Sequence, residues 1–234
     1  MVYVTSDLHG CSVDTLQALL AKAGFGEEDF LYILGDVIDR GEHGAELLLW
    51  LTQQPNVQLL LGNHESMLLS CAFLFEVVTE DSLNALTVEK LELVNTWMAN
   101  GGGPTLNGLR RILKADPELM EGILDYLRDA PVYEEIAVGG RHFVLVHAGI
   151  AGFDPEKPLE EYDPDAFLWE RPELTDRYFT NFTVLFGHTP TEYYGNQYAD
   201  RAVKTDSWIC IDTGAARGGK PMLLRLDDLK EFYI

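Results

Sequence analysis

Near its start the chain repeats one pattern three times: a short apolar run, a polar loop, then apolar residues at helical spacing. Residues 2–5 read as a strand ending in Ser6-Asp7-Leu8-His9-Gly10, after which Ser12 is placed to cap a helix to about Ala23 with Val13, Leu16, Leu19 and Leu20 as its stripe. Residues 30–34 form the second strand, Gly35-Asp36-Val37-Ile38-Asp39-Arg40-Gly41 its loop and residues 45–52 its helix. Residues 57–61 form the third, leading through Gly62-Asn63-His64-Glu65 into a helix expected to run to about Val78. Strands alternating with helices in this way predict an α/β layered domain.

The middle of the chain differs. From Ser66 to about Ala130 the spacing is mainly helical, with Leu83, Leu86, Leu91, Leu93, Val94 and Trp97 ahead of a stop at Asn100-Gly101-Gly102-Gly103-Pro104. Residues 105–113 and 118–127 read as further helices, the second with Asp116 as cap and Pro117 at its first position. Region 66–130 is therefore expected to be a helical insertion on one side of the sheet, lining the cleft or simply covering apolar surface. Strand signals return at 132–138 and 141–146, joined as a hairpin by Gly139-Gly140, and again at 182–186, 208–211, 221–226 and 232–234. Residues 1–234 are read as a single domain.

Composition narrows the function. With 47% apolar residues in 234, the chain can bury a large core. Its 17 basic and 38 acidic residues give a formal charge of −21, which argues against nucleic acid or an anionic membrane as partner. A phosphorylated substrate would be repelled at long range too, so a phosphate site needs strong local positive charge, for which metal ions are the obvious source. Cys11, Cys71 and Cys210 are far apart with no CxxC pair, and Met1 leads straight into a short strand with no basic leader. No apolar run reaches the roughly 18 residues of a membrane span. A cytoplasmic location is expected. His43 and His142 match no ligand pattern and read as surface or structural, Cys11 as a small buried side chain, and Tyr193, Tyr194 and Tyr198 as either cleft or packing residues.

Candidate chemistry sits where strands end. Asp7 and His9, Asp36, Asp39 and Arg40, Asn63 and His64, His147 and His188 all follow apolar strands; Asp, Asn and His are residue types that ligate hard or borderline metals, and Arg40 adds an anion clamp. One such loop is explained by capping; the same residue types at successive strand ends are not.

Taken in order, Asp7-Leu8-His9-Gly10, Gly35-Asp36-Val37-Ile38-Asp39-Arg40-Gly41, Gly62-Asn63-His64-Glu65, His147-Ala148-Gly149 and Gly187-His188 resemble the motif set of the phosphoprotein phosphatase branch of calcineurin-like metallophosphoesterases. The resemblance implies a four-layer sandwich of two mixed β-sheets flanked by helices, with a two-metal site at one end. It implies that Asp7 and His9 bind the first metal, that Asp36 bridges, and that Asn63, His147 and His188 complete the second. It implies His64 as general acid oriented by Asp39, Arg40 as a phosphate clamp, Arg171 in Leu168-Trp169-Glu170-Arg171 as a second one, and hydroxide supplied by the metal pair as in-line nucleophile. Carboxylate, amide oxygen and neutral imidazole suit two divalent ions, Mn²⁺ first, with Fe or Zn²⁺ as alternatives.

The chain lacks the Ser-Ala-Pro-Asn loop of eukaryotic protein phosphatases and looks like the short bacterial or phage type of serine/threonine phosphatase. Symmetrical diadenosine tetraphosphate hydrolase is the rival, sharing the Asp212-Thr213-Gly214 segment, while Glu65 and the Trp169-x-Arg171 spacing favour the phosphatase. A metal-free binding protein on the same fold is the third reading. The expected substrate is a phosphoprotein or small phosphoester, and the sequence carries no sign of oligomeric state.

Overall fold

The computed structural model describes residues 1–77, 79–80 and 84–234. Two five-stranded sheets lie face to face. The strands, in chain order, are β1 (Val2–Thr5), β2 (Phe30–Ile33), β3 (Val57–Leu59), β4 (Tyr133–Val138), β5 (Arg141–Val146), β6 (Thr183–Phe186), β7 (Val203–Lys204), β8 (Trp208–Cys210), β9 (Met222–Arg225) and β10 (Lys230–Tyr233). The first sheet has the order β10-β9-β1-β2-β3 and the second β4-β5-β6-β8-β7. Both are mixed: β1, β2 and β3 run parallel in one, as do β5, β6 and β8 in the other, with antiparallel strands outside them. The carboxyl ends of six parallel strands thus collect at one end of the sandwich, where α/β sheets place their ligand sites.

Alternation along the strands builds three apolar clusters. In β5, Phe143 and Leu145 face the inter-sheet core with Val4, Leu34, Leu60, Leu185, Ile209 and Leu224, while Val144 and Val146 face outward. The central parallel strands are largely buried on both faces, which is why they read as continuous apolar runs. The outer face of the first sheet is covered by α1 (Val13–Ala23), α2 (Gly44–Leu51), α3 (Asn63–Ser70), α4 (Val88–Ala99), α5 (Gly103–Ala115) and α6 (Pro117–Arg128), all of which contribute to one cluster. The outer cluster of the second sheet contains no residue of these helices. Its apolar cover, Leu159, Tyr162, Phe167 and Tyr178, comes from 3-10 turns and loops.

 

Local sequence explains most boundaries. Ser12 accepts from Thr15 N–H at 3.1 Å to start α1, and Gly24, at φ 75°, ends it. Asp116 caps α6 through Leu119 N–H, with Pro117 at the first position. Gly139 and Gly140, at φ 59° and 79°, make the hairpin turn between β4 and β5.

Two expectations are corrected, and one strand goes unread in the sequence. The third helix stops at Ser70, where the Cys71 N–H meets carbonyls of the last turn and the chain tightens into a 3-10 turn over Ala72–Phe75 that buries Phe75; Val78, its expected end, lies outside the described residues. In the expected apolar stripe before the glycines, Leu86, Leu91 and Leu93 are exposed, Val94 packs partly buried against the core and Trp97 is fully buried, and Leu83 lies outside the described residues. The two-residue strand β7 was too short to leave a sequence pattern.

Gly35 marks where the sheets meet at the site end. Its φ is +81°, and a Cβ there would lie 2.5 Å from Gly62 Cα and 2.8 Å from His147 Nδ1. Gly35→Ala is expected to cost about 2–4 kcal/mol. Gly24→Ala, at φ +75° with nothing within 4 Å of the added methyl, should cost only ~1 kcal/mol. Urea unfolding of the two variants checks the difference, and equal midpoints would contradict the close approach.

Candidate active site

Six loops at the strand ends deliver the polar side chains: Asp7 and His9 after β1, Asp36, Asp39 and Arg40 after β2, Asn63 and His64 after β3, His147 after β5, His188 after β6 and Asp212 after β8. Eight described non-glycine residues have positive φ, and six of them, Asp7, His9, Asp36, Asp39, Arg40 and His188, with φ between 41° and 67°, are in these loops. Each left-handed residue costs about 1–2 kcal/mol. The surrounding hydrogen bonds hold them there: His9 N–H donates to Asp36 O at 2.8 Å, Gly10 N–H to Val37 O at 2.8 Å and Arg40 N–H to Gly101 O at 2.9 Å.

Asp36 lies at the centre, and its two oxygens face different ways. Oδ2 is 3.6 Å from His9 Nε2 and 3.8 Å from His64 Nε2, whereas Oδ1 is 3.4 Å from His147 Nε2. Two groups of metal-competent atoms result, one from His9, Asp36 and His64, the other from Asp36, His147 and His188. Asn63 Oδ1 joins the second at 2.8 Å from His147 Nε2 and 3.1 Å from His188 Nδ1. Asp7 borders the first, with Oδ1 3.9 Å from His9 Nε2 and Oδ2 accepting the His188 N–H at 2.9 Å.

Hydrogen bonds set the tautomers. A backbone carbonyl only accepts, so His147 Nδ1 donates to Leu34 O at 2.6 Å and His9 Nδ1 to Ile38 O at 3.2 Å, leaving both Nε2 lone pairs turned inward. Burial holds all three ligand-type imidazoles neutral: His9 is pushed down to about 2 with Arg40 and His64 adding to the effect, His188 to about 3 with Arg171 contributing, and His147 well below its ordinary value. Burial and neighbouring acids have the opposite effect on the carboxyls. Asp36, beside Glu65 and Asp7, and Asp7, beside Asp212, are both pushed well up. A carboxylate oxygen, an amide oxygen and two imidazole lone pairs converging without a hydrogen between them fit a cation, which would also relieve the repulsion among the buried acids.

His64 is built differently. Its Nδ1 donates to Asp39 Oδ2 at 2.7 Å, and its Nε2 accepts from Arg40 at 3.0 Å; a second arm of the same guanidinium donates to His9 Nε2 at 3.0 Å. Arg40 and Arg171 share the wall of a cavity of about 130 Å³ with His9, Asp36, Asn63 and His188. All ten side chains anticipated from sequence therefore meet in one place.

Sequence reasoning missed several neighbours. Fully buried Glu65 accepts N–H groups from Asp36 at 2.8 Å, Gly62 at 3.1 Å, Val37 at 2.9 Å and Ile38 at 3.3 Å, binding the second loop to the third. Asp212 lines the cavity, its carboxyl pushed up to about 6 by burial, and it obeys the same strand-end pattern as the others. Arg217 also lines it. Tyr193 lies exposed between Arg171 and Arg217, whereas Tyr194 packs on Trp208 and Tyr198 on the outer core. His43 is exposed and paired with Glu46, and His142 packs against Phe182.

Glu65→Gln puts an amide NH₂ where one oxygen accepts backbone N–H groups. The change is expected to destabilise the fold by about 2–4 kcal/mol. It should also lower metal content, measured by urea unfolding together with elemental analysis after dialysis. Wild-type values for both would contradict the clamp.

Comparison with known proteins agrees with this geometry. Residues 1–216 match the calcineurin-like phosphoesterase family. The chain is 28% identical over 219 residues to serine/threonine-protein phosphatase 2 of Salmonella typhimurium strain LT2, covering 93% of this chain and 89% of that protein. It is 35% identical over 154 residues to the symmetrical bis(5'-nucleosyl)-tetraphosphatase of Actinobacillus succinogenes, covering 64% of this chain and 44% of that relative. The crystal structure of a candidate diadenosine tetraphosphatase superposes with a TM-score of 0.63 at 18% identity, over 100% of this chain and 92% of that one. The chain is a metallophosphoesterase and belongs to the calcineurin-like phosphoesterase family.

Proposed function

We propose that the protein is a phosphomonoesterase of the serine/threonine protein phosphatase type that uses two divalent cations, Mn²⁺ first among them. The observation that carries the two-cation reading is the division of Asp36, one oxygen toward each histidine group. Asp7, His9 and Asp36 would hold one ion and Asp36, Asn63, His147 and His188 the other. When bound, such a pair activates water and neutralises phosphoryl oxygens.

The chain's own residues supply the rest. Arg40 turns from His9 and His64 to grip two phosphoryl oxygens, and Arg171, which lines the same cavity, adds a second guanidinium. A water oxygen forms the new bond to phosphorus as the bond to the ester oxygen breaks; with Arg40 moved onto the phosphate, His64 in its doubly protonated form gives the departing ester oxygen its Nε2 proton, and the water's proton passes to solvent. Asp39 keeps the ring aimed by holding Nδ1 at 2.7 Å. Similarity over nearly the full length to a bacterial serine/threonine phosphatase supports a phosphoprotein substrate. The tetraphosphatase relatives and the Asp212-Thr213-Gly214 segment support diadenosine tetraphosphate as the second reading. Three unpaired cysteines and a charge of −21 favour a reducing cytoplasm and partners other than nucleic acid or membrane, and no helix among the described residues is long and apolar enough to cross a membrane.

With Mn²⁺ the purified protein is expected to hydrolyse p-nitrophenyl phosphate and to lose that activity in EDTA; inactivity across a full metal screen overturns the reading. His64→Asn should lower kcat on phosphoserine peptide by ~10²–10⁴-fold with metal content retained. Turnover of phosphoserine and phosphothreonine peptides in preference to diadenosine tetraphosphate is the expected order, and the reverse order selects the second reading.

A further inference from the structure

Asp39 is fully buried, and its two oxygens are used unequally. Oδ2 takes His64 Nδ1–H at 2.7 Å and, at 2.9 Å, the indole N–H of Trp97; Oδ1 has no hydrogen-bond partner among the described residues. A carboxylate held only by His64 could rotate and present either oxygen, carrying the ring with it. A second donor on the same oxygen fixes that rotation.

Trp97 comes from the end of α4, in the helical region that follows β3 in the chain, and is itself fully buried. Its ring lies directly against Gly102, where a Cβ would sit 2.6 Å from the indole nitrogen. Two more bonds from the same junction reach the loop after β2: Gly101 O accepts from Arg40 N–H at 2.9 Å, and Thr105 Oγ1 accepts from Asp39 N–H at 2.9 Å. The helical region grips Asp39 and Arg40 at three points, and only the indole reaches the oxygen that holds His64.

We infer that Trp97 is a positioning residue for proton delivery by His64, acting through Asp39 Oδ2. The inference rests on the reading of His64 as general acid. Its consequence is selective: an ester whose leaving oxygen must be protonated depends on the indole, and one whose leaving group departs as a stable anion does not.

The test compares phenyl phosphate with dinitrophenyl phosphate in the full-length, metal-loaded protein. Trp97→Phe should lower kcat on phenyl phosphate by ~10-fold or more, with a much smaller change on dinitrophenyl phosphate. Gly102→Ala, which displaces the ring without removing it, should give the same discrimination. Adding Trp97→Phe to His64→Asn should have no further effect on phenyl phosphate. Independently of activity, the Trp97 indole N–H resonance should move when Asp39→Asn is introduced. Equal losses on both esters, or an indole resonance indifferent to Asp39→Asn, overturn the inference. If His64→Asn itself shows no preference between the esters, it is the general-acid reading that fails.

Discussion

Glu65 stands at the third position of α3, fully buried, and its carboxylate receives the N–H groups of Gly62, Asp36, Val37 and Ile38. One of these bonds belongs to its own helix start, as in a capping box; the other three reach across to the loop after β2. That loop contains three left-handed non-glycine residues, a conformation with no regular partner for its amides. The side chain supplies the missing acceptors, so the orientation of Asp36 and the start of the helix carrying Asn63 and His64 are set by one group.

The same economy governs charge. Asp7, Asp36, Asp39, Glu65 and Asp212 are buried within one end of a protein of charge −21, where each raises the cost of ionising its neighbours. Arg40 is exposed and shared between two imidazoles; its charge favours the ionised forms of Asp7, Asp36 and Asp212 without overcoming burial, which leaves all three pushed up. Neutral histidines turned inward by Leu34 and Ile38 carbonyls add lone pairs rather than positive charge. A site assembled from groups that repel or ignore one another is organised for cations and for the phosphate that cations attract.

The helices after α3 belong to this arrangement as much as to the core. Exposed Val88, Leu91 and Leu93 leave much of α4 facing solvent, yet its end and the start of α5 reach Asp39 and Arg40 through Trp97, Gly101 and Thr105. Contact with the site, more than burial of an apolar stripe, explains where this region sits.

The alternation of apolar runs with loops of Asp, His and Asn was sufficient to find the parallel strands and the residues at their ends, because strand periodicity and turn chemistry are local properties of the chain. Ser12, Asp116 and the Gly139-Gly140 turn were legible for the same reason. Which oxygen of Asp36 faces which imidazole, and that Glu65 joins two loops, could not be read, since those contacts join residues 27 or more positions apart. Trp97 looked like one more apolar residue in a helix until the fold set its indole against Asp39, 58 positions away. Sequence determined which side chains stand at the strand ends; only the packing of one sheet and its helices against the other decided which atoms face each other, because direction and distance between loops are properties of the assembled layers.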